Sequence, residues 1–382
     1  MSDEAAELLD LVDTLAVREV APAAAAAEGS GDFPRALIAK LGDAGLLGMP
    51  YPESLGGAGL DYQTYLRVIE RLSRAWLTVG LAVSVHTLSC FPLVVAGSEA
   101  QQRRWLPHLL GGTMLGAYCL SEPHSGSDAA ALRTTATRVS DQRGDGYVIN
   151  GTKAWITHAG VADFYTVMAR TSDDGARGVS CFLVMSDAPG LSFGARERKM
   201  GMRASPTAQV VFDDVFVPVD QLIGGEGAGF RLAMAALDAG RLGISACAVG
   251  LAEAALAEAV AYAGEREAFG AAIGSYQGVS FMLADAATGI AAGRALVESA
   301  ARAKDAGEAY GTAAAMAKLF TTDMCMAATT DAVQVLGGAG YVEDYPVERY
   351  MREAKVLQIV EGTNQIQRLV IGRSLLRRGT GT

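Results

Sequence analysis

The first third of the chain carries apolar residues at the three- and four-residue spacing of amphipathic helices. One face of the first predicted helix consists of Leu8, Leu9, Leu11, Val12, Leu15 and Val20. A further helical group covers about residues 62–110, and Pro92 and Gly97 are expected to break it because both residues stop helices. The pattern therefore predicts an all-helical N-terminal domain.

The pattern changes near Thr113, where β-branched and aromatic residues begin to alternate with polar ones. Strands are predicted at residues 133–139, 146–149, 164–169, 179–184 and 209–217. The segment Arg143-Gly144-Asp145-Gly146 is typical of a hairpin turn between the first two strands. We therefore expect an antiparallel β domain in the middle of the chain.

A glycine-rich segment at residues 224–229 precedes a third region, which is helical and dense in alanine. Helices are predicted at about residues 230–266, 277–305 and 311–336, and a shorter pair follows Pro346. Small residues allow helices to approach closely, which favours a bundle. The order of helical, β and helical regions predicts an α+β fold with domains at residues 1–115, 116–223 and 224–382. This order differs from the alternating strands and helices of a dinucleotide-binding βαβ domain.

Composition narrows the functional classes. The 382 residues carry a formal net charge of −10, which argues against non-specific nucleic-acid binding. Polar residues such as Thr78 and Ser84 interrupt the apolar runs, and the N-terminus lacks the basic and apolar segments of a signal peptide. We expect a cytoplasmic protein that neither binds nucleic acid nor spans a membrane.

Cysteine and histidine spacing gives no metal-site pattern. The five cysteines are scattered and odd in number, so we expect buried free thiols rather than disulfides or a zinc site. His86, His108 and His158 are interpreted as structural. The phosphate-binding loop, the zinc-protease motif, the nucleophile elbow and a well-formed dinucleotide-binding glycine motif are all absent from the sequence. Any reaction that the protein catalyses therefore depends on functional groups other than a metal site or these motifs.

Glu361 follows the apolar pair Ile359-Val360 at a break between two helical patterns. Gly362 is suited to end the preceding helix, and Thr363 is suited to cap the following one. A carboxylate there can project into a cavity, where its raised pKa suits a general base for a weakly acidic C–H group. A solvated glutamate in a loop between helices has the same spacing, so the residues alone leave both interpretations open.

Two polar segments could hold a ligand without a metal. The loop from Tyr118 to Asp128 offers hydroxyls and backbone N–H groups, although a polar turn stopped by Pro123 is the alternative. The segment Trp155-Ile156-Thr157 by itself is typical of a buried strand with one hydroxyl.

Two arginines are further candidates, because arginine suits phosphate and pyrophosphate groups. Asp238 and Arg241 share a helix face, and Arg266 and Gln277 flank a turn between helices. Most helix arginines simply reach solvent, which is the alternative for each.

Taken together and in this order, the segments resemble the acyl-CoA dehydrogenase family of flavoproteins. The resemblance rests on residues 118–128, 150–157, 212–218, 266–270, 334–338 and 360–367, which include Tyr-Cys-Leu-Ser-Glu-Pro-His-Ser-Gly-Ser-Asp, Asn-Gly-Thr-Lys-Ala-Trp-Ile-Thr and Val-Glu-Gly-Thr-Asn-Gln-Ile-Gln. Each motif is weak alone, but the ordered set covers nearly the whole chain and is highly specific.

The resemblance implies an FAD-dependent enzyme whose cofactor lies between the middle β domain and a C-terminal four-helix bundle. Glu361 would remove the α-proton of an acyl-CoA thioester, and flavin N5 would accept the β-hydride to give the trans-2-enoyl-CoA. Some members carry the base on an earlier helix, where this chain has Gly240, so Glu361 is the expected base. The substrate class implied is a short, medium or branched acyl-CoA, from fatty acid or branched-chain amino acid catabolism.

The resemblance also assigns the remaining site residues. Those expected at the FAD of the same subunit are Tyr118, Leu120, Ser121, Ser127, Trp155, Ile156, Thr157, Thr363 and Gln365. Those expected to reach the FAD of a neighbouring subunit are Arg266, Phe269, Gln277, Gln334, Val335, Gly337 and Gly338. Substrate contacts are expected from Ser127, Asp238, Arg241 and Gly362, and no metal is expected.

The family usually assembles as a homotetramer, a dimer of dimers, and passes electrons to an electron-transfer flavoprotein, so both are expected here. Three residues depart from the family pattern. Val360 stands where many members have a tyrosine beside the acyl chain, which enlarges the pocket. His124 replaces a smaller residue or asparagine, and His158 replaces an asparagine.

Three other functions remain as alternatives. The chain could be an oxidase or monooxygenase of the same fold, or a dehydrogenase that acts on an acyl carrier protein thioester. It could also be an inactive helical subunit that serves as an assembly partner, although the complete set of motifs argues against that.

Overall fold

The computed structural model describes residues 3–379 and begins with a helical region. Its helices are α1 (Asp3–Leu15), α2 (Ala21–Ser30), α3 (Arg35–Asp43), α4 (Tyr62–Ala75), α5 (Leu77–Ala96) and α6 (Glu99–Leu110), with a π-helical turn at Ala16–Val20. The Asp61 side chain caps α4 by accepting a hydrogen bond from Thr64 N at 2.6 Å. Ser98 and Gln101 form a capping box at the start of α6. Local capping thus places the starts of α4 and α6.

The expected helix break at Pro92 is wrong. Pro92 lies within α5, which continues to Ala96 and ends at Gly97, where the backbone turns extended. Almost the whole helix is buried, so tertiary packing of its apolar residues outweighs the one hydrogen bond that proline cannot donate. The break between α4 and α5 lies at Trp76 instead, where the backbone is extended.

The middle region forms one eight-stranded sheet. Its strands are β1 (Gly116–Cys119), β2 (Thr135–Asp141), β3 (Gly144–Thr157), β4 (Phe164–Arg170), β5 (Val179–Met185), β6 (Leu191–Phe193), β7 (Thr207–Pro218) and β8 (Leu222–Ile223). The order is β6-β7-β3-β2-β4-β5-β8, and β1 pairs with β4. Most pairings are antiparallel as predicted, but β1 runs parallel to β4, and β2 meets β4 in a single parallel pair. The strands β1, β6 and β8 are too short to show a clear alternating pattern.

The predicted hairpin between β2 and β3 is present, but its turn begins earlier than expected. Asp141 pairs with Gly144, so the two turn residues are Gln142 and Arg143. Asp141 stabilises this turn by accepting hydrogen bonds from the backbone N–H and guanidinium of Arg143.

The C-terminal region is a helical bundle. Its helices are α7 (Gly229–Glu265), α8 (Gln277–Asp305), α9 (Gly311–Leu336), α10 (Val347–Leu357) and α11 (Asn364–Gly379), and a small hairpin of β9 (Glu267–Ala268) and β10 (Ala271–Ala272) joins α7 to α8. The long helix α7 packs against α4, α5, α8 and α9. A Cβ atom at Gly250 would lie 2.1 Å from the backbone oxygen of Glu70, so α4 and α7 meet backbone to backbone.

The helices α5 and α7 are long and apolar enough to cross a membrane by length and composition alone. Both are mostly buried within the protein, and core helices of soluble proteins meet the same criterion. The expected burial of the free thiols is confirmed for Cys90, Cys119, Cys181, Cys247 and Cys325.

Secondary structure changes from helix to strand between Leu110 and Gly116, and back to helix between Ile223 and Gly229. The domain boundaries at residues 115/116 and 223/224 stay predictions. The extreme ends of the first and last predicted domains, residues 1–2 and 380–382, lie outside the described residues.

Candidate active site

Glu361 lies in a strained turn between α10 and α11. Its φ is 53°, in the left-handed region that non-glycine residues rarely adopt, and the φ of Gly362 is 88°. Thr363 Oγ1 accepts a hydrogen bond from Ile366 N at 3.3 Å and caps α11, which confirms the predicted cap. The expectation that Gly362 ends the preceding helix is wrong, because α10 already ends at Leu357 and a six-residue turn follows.

Burial of the Glu361 carboxylate sets its chemistry. Both carboxylate oxygens are buried and make no hydrogen bond within the described part of the chain, although other atoms of the residue reach solvent. This geometry contradicts the alternative of a solvated loop glutamate. Burial raises the pKa of Glu361 to about 7, and the positive charges of Arg241 and Lys318 oppose the rise. A carboxyl group of this kind gains or loses its proton near neutral pH.

Gly240 on α7 lies directly opposite this carboxylate. A Cβ atom at residue 240 would lie 1.9 Å from Glu361 Oε2, so any larger residue would displace the carboxylate. Gly240 also lines a cavity of about 200 Å³ between α4, α5 and α7. Other residues that line this cavity are Tyr51, Tyr62, Tyr65, Leu88, Phe91 and Lys304. The buried base therefore lies beside a largely apolar cavity.

Among the residues that the structure describes, Lys304 carries the only cationic group that lines this cavity. Its ammonium nitrogen lies 4.6 Å from the centre of the Tyr62 ring and 4.9 Å from that of Tyr310, which are cation–π distances. Asp305 does not bond to it but accepts the backbone N–H of Tyr62 at 2.7 Å. Aromatic rings thus surround the Lys304 ammonium group.

Asp238 and Arg241 lie on one face of α7, as predicted. Arg241 Nη1 donates a hydrogen bond to Asp238 Oδ1, and Arg241 Nε is buried without a partner among the described residues. The positive charge of Arg241 lowers the pKa of Glu361 and so opposes the effect of burial.

A buried ion pair holds the predicted flavin loop. The Glu122 carboxylate accepts Lys153 Nζ at 2.8 Å and the backbone N–H groups of Arg133 and Thr134 at 2.6 and 2.9 Å. Lys153 Nζ also donates to Leu120 O at 3.1 Å. Loop and strand β3 are therefore tied together from inside the protein, which leaves the other face of the loop available to a ligand.

Tyr118 and Trp155 lie on the two segments predicted to bind flavin, and each has a polar group or ring without the environment that its residue type usually has. Tyr118 is buried, and its hydroxyl oxygen has no hydrogen-bond partner among the described residues. Trp155 is 63% exposed, at an irregularity in the β3–β7 register where its φ is 62°. A bulge re-aims a side chain in this way. The interpretation of Trp155 as part of a buried strand is therefore wrong, although Ile156 is buried and Thr157 half-buried.

The remaining residues predicted at the cofactor differ in exposure. Leu120 is buried and Ser121 half-buried, and Ala154 N bonds to Ser121 O at 2.9 Å. Ser127 and Gln365 are exposed. In the described part of the chain, no group of histidine, cysteine, aspartate and glutamate side chains could hold a metal ion.

The residues predicted to reach a neighbouring subunit form a separate, mostly exposed group. Phe269 and Gly270 have φ of 53° and 82° at the tip of the β9–β10 hairpin, and the Phe269 ring is 98% exposed. Arg266, Gln277, Gln334, Gly337 and Gly338 are also exposed, whereas Val335 is buried. Within the described residues, no hydrogen bond links this group to the loop at residues 118–128.

The three residues that depart from the family pattern lie in different environments. Val360 is half-buried against the main core, and the exposed His124 imidazole lies 3.5 Å from Glu122 Oε2. His158 is buried and donates from Nδ1 to Gly116 O at 2.9 Å, while burial lowers its pKa to about 4. His86, like His158, bonds to the backbone, which fits its structural interpretation.

Sequence reasoning missed the polar groups behind Glu361. Lys318, Asn364 and Gln367 are buried and bond to one another or to the Gly362 carbonyl. Lys318 could have been noticed as the single charged residue in the alanine-rich segment 311–322. The aromatic lining of the cavity gave no comparable signal, because its residues come from α4, α5 and the loop before α4.

Comparisons with known proteins cover nearly the whole chain. Three family models match in order: the acyl-CoA dehydrogenase N-terminal domain at residues 2–113, the middle domain at 117–215 and the C-terminal domain at 227–376. An acyl-CoA dehydrogenase of Bacillus subtilis is 47% identical over 98% of this chain and 99% of its own length. A short-chain specific acyl-CoA dehydrogenase of Clostridium acetobutylicum is 43% identical over 96% of both chains.

Solved structures agree with this result. Butyryl-CoA dehydrogenase from Megasphaera elsdenii superposes with a TM-score of 0.95 at 40% identity and covers 98% of this chain and 99% of its own. A structure described as the electron transferring flavoprotein of Acidaminococcus fermentans gives 0.96 at 44% identity and 99% coverage of both chains. An acyl-CoA dehydrogenase from Bacillus anthracis complexed with FAD gives 0.93 at 30% identity and covers 100% of this chain and 68% of its own.

Proposed function

The chain belongs to the acyl-CoA dehydrogenase family of FAD-dependent oxidoreductases, and from this premise we propose that it converts a short, medium or branched acyl-CoA to the trans-2-enoyl-CoA. Glu361 is the general base that removes the α-proton. The single observation that carries this proposal is the buried, unpartnered carboxylate of Glu361 beside the cavity that Gly240 lines.

The environment of Glu361 suits proton abstraction from carbon. The Glu361 carboxylate has no hydrogen-bond partner among the described residues, so its lone pairs are free to accept a proton from the substrate. A general base works best when its pKa lies near the working pH, and the pKa of about 7 meets that condition near neutral pH. Among the described residues, the backbone N–H of Glu361 also makes no hydrogen bond. It is therefore free to bind the thioester carbonyl, where negative charge develops as the α-proton leaves.

The residues on the β domain fit a flavin. The unpartnered Tyr118 hydroxyl and the indole ring presented by the bulge at Trp155 suit an aromatic group with polar edges. We propose that Tyr118, Leu120, Ser121, Ser127, Trp155, Ile156 and Thr157 hold FAD together with Thr363 and Gln365. When bound, FAD supplies the acceptor for the hydrogen and electron pair that leave the β-carbon. Asp238 and Arg241 orient the substrate from α7.

The size of the cavity supports a short acyl group. Its volume is about 200 Å³. An engineered apolar cavity of about 150 Å³ takes up benzene, so this cavity has room for an acyl chain of about four to six carbons. Two relatives, a butyryl-CoA dehydrogenase and a short-chain specific acyl-CoA dehydrogenase, agree by name with this expectation.

Partners and location are part of the same proposal. We propose an electron-transfer flavoprotein as the acceptor, a homotetramer built as a dimer of dimers, and a cytoplasmic location. In that assembly Arg266, Phe269, Gln277, Gln334, Val335, Gly337 and Gly338 contact the FAD of a neighbouring subunit. The exposure of all of these residues except Val335 supports this, because a 98% exposed phenylalanine at a hairpin tip is unfavourable in an isolated chain.

The test is the visible spectrum of the purified flavoprotein during anaerobic addition of acyl-CoA thioesters. We expect butyryl-CoA to bleach the oxidised-flavin band faster than octanoyl-CoA, and palmitoyl-CoA to bleach it slowest. Failure of every thioester to bleach a yellow protein would contradict the proposal. Hydrogen peroxide formed in step with substrate in air would instead favour an oxidase.

A further inference from the structure

Lys318 is a completely buried lysine on α9 with two specific acceptors. Its ammonium nitrogen donates to Gly362 O at 2.9 Å and to Asn364 Oδ1 at 2.8 Å. A buried charge is unfavourable unless it is paired or hydrogen-bonded, so an apolar residue would suit this helix better for stability alone. The position of Lys318 therefore calls for a reason beyond packing.

One acceptor of Lys318, Gly362, lies in the turn that carries Glu361, and the other, Asn364, is the first residue of α11 directly after that turn. The Gly362 carbonyl also accepts Gln367 Nε2 at 2.8 Å, and Asn364 Nδ2 donates to Asp323 Oδ1 at 2.6 Å. A strained backbone such as that of Glu361 persists only where surrounding contacts hold it in place. Lys318, Asn364 and Gln367 supply those contacts from two helices.

Resting on the function proposed above, we infer that Lys318 is a positioning residue for the reaction: its hydrogen bond to Gly362 O holds the Glu361–Gly362 turn and places a positive charge next to the residue that carries the base. Among the described residues, Lys318 neither lines the cavity nor forms a hydrogen bond with a predicted flavin residue, so it acts through Glu361.

Few other charges near Glu361 can take over this role. The titratable groups that interact with it are Tyr62 and Tyr65 on α4, Tyr118 on β1, Arg241 and Cys247 on α7, and Lys318. Burial raises the pKa of the tyrosines and the thiol, so they are neutral at physiological pH. Arg241 already bonds to Asp238, and the negative charge of Asp323 acts on Lys318.

Lys318 and Glu361 influence each other's protonation. Burial lowers the pKa of Lys318 to about 7, and the negative charge of Glu361 opposes that fall. In turn, loss of the lysine charge must raise the pKa of Glu361 further above its ordinary value. The direction of this shift is what distinguishes a charge effect from a packing effect.

The experiment compares Lys318→Met, which removes charge and donor, with Lys318→Gln, which removes the charge and keeps an N–H donor. Lys40→Met is the matched control, because Lys40 is exposed on α3 and pairs with Glu19. The rate of anaerobic flavin reduction by butyryl-CoA is measured against pH in the FAD-loaded proteins. Infrared difference spectra record the protonated carboxyl band that Glu361→Gln abolishes.

We expect both Lys318 variants to keep FAD and to move the acid limb of the rate and the infrared titration to higher pH by about one unit. The maximal rate should fall at least about tenfold in Lys318→Met, with a smaller change in KM, and less in Lys318→Gln. Lys40→Met should match the wild type in every measurement.

An unshifted carboxyl titration in both variants would overturn the inference, even if the rate fell, because a merely structural role would produce that result. If Lys318→Met does not fold, Lys318→Gln carries the same test. Absence of bleaching in the wild type would refute the proposed function instead, and the infrared titration would still test the influence of Lys318.

Discussion

At the residue scale, Glu361 combines two features that lower the stability of the folded chain. Its backbone is strained at a φ of 53°, and its carboxyl group is buried without a hydrogen bond to any described residue. Both serve one purpose in the proposed reaction, because they hold an uncommitted base beside the cavity. Stability and activity should therefore respond in opposite directions when this side chain is changed.

Glu361→Gln tests that opposition. Between its ordinary pKa of 4.5 and about 7, the folded protein holds a proton that the unfolded chain has lost, so stability falls as pH rises through this range. Glutamine carries no such penalty. We expect the difference in free energy of unfolding between the variant and the wild type to be about 2–3 kcal/mol more favourable to the variant at pH 8 than at pH 4. The variant should keep FAD, and its rate should fall about 10²- to 10⁴-fold.

Urea unfolding at the two pH values and flavin-reduction rates provide the measurements, with the exposed Glu53→Gln as a control. A variant whose stability relative to the wild type does not change with pH would show that Glu361 does not titrate near neutrality.

The sequence identified Glu361 but not the residues that support it. The motif around residue 361 and the helix break are local features, so they are visible along the chain. Lys318 is 43 residues away, and only the packing of α9 against the turn brings its amine to Gly362 O. The face of a helix that will meet a particular loop is a tertiary property, which periodicity alone does not specify.

At the scale of elements, the long C-terminal helices were predicted to within one residue at each end. Their length and composition dominate the local signal. The middle sheet was less predictable, because β6 and β8 have three and two residues and because β1 joins β4 in parallel across the chain. The predicted break at Pro92 was wrong because a strong local signal was overruled by packing: a buried helix tolerates a proline that an isolated helix would not.

The contact between α4 and α7 gives a sharp prediction. Gly250→Ala would place a Cβ atom 2.1 Å from Glu70 O, a backbone atom that cannot rotate away. The helices must separate, which we expect to lower the free energy of unfolding by about 1–3 kcal/mol. Gly264→Ala is the control on the same helix, because no atom lies within 4 Å of its Cβ position. It should instead gain up to about 1 kcal/mol from helix propensity.

Urea unfolding followed by circular dichroism measures both variants. Equal effects of the two substitutions would mean that α4 and α7 do not meet at Gly250 as described.

At the scale of the whole molecule, large apolar side chains remain exposed mainly on the C-terminal bundle. They include Phe269, Phe281, Met316, Phe320, Tyr341, Leu369 and Leu376. Isolated soluble chains rarely expose so many apolar side chains in one region, whereas subunit interfaces of oligomers are enriched in them. The second group of predicted FAD residues lies in this same region, so assembly and cofactor binding should be linked.

Phe281→Glu tests that link, because Phe281 is 60% exposed on α8 and lies outside the predicted FAD residues. A charge buried in an interface without a partner is strongly unfavourable, so we expect subunits to dissociate and FAD retention to fall together. Val17→Glu is the matched control, since Val17 is 73% exposed on the N-terminal helices. Light scattering gives the mass and the visible spectrum gives the FAD content. If Phe281→Glu dissociates the assembly yet keeps FAD, each subunit must complete its own cofactor site, and the assignment of Arg266 and Gln334 to a neighbour's FAD would be wrong.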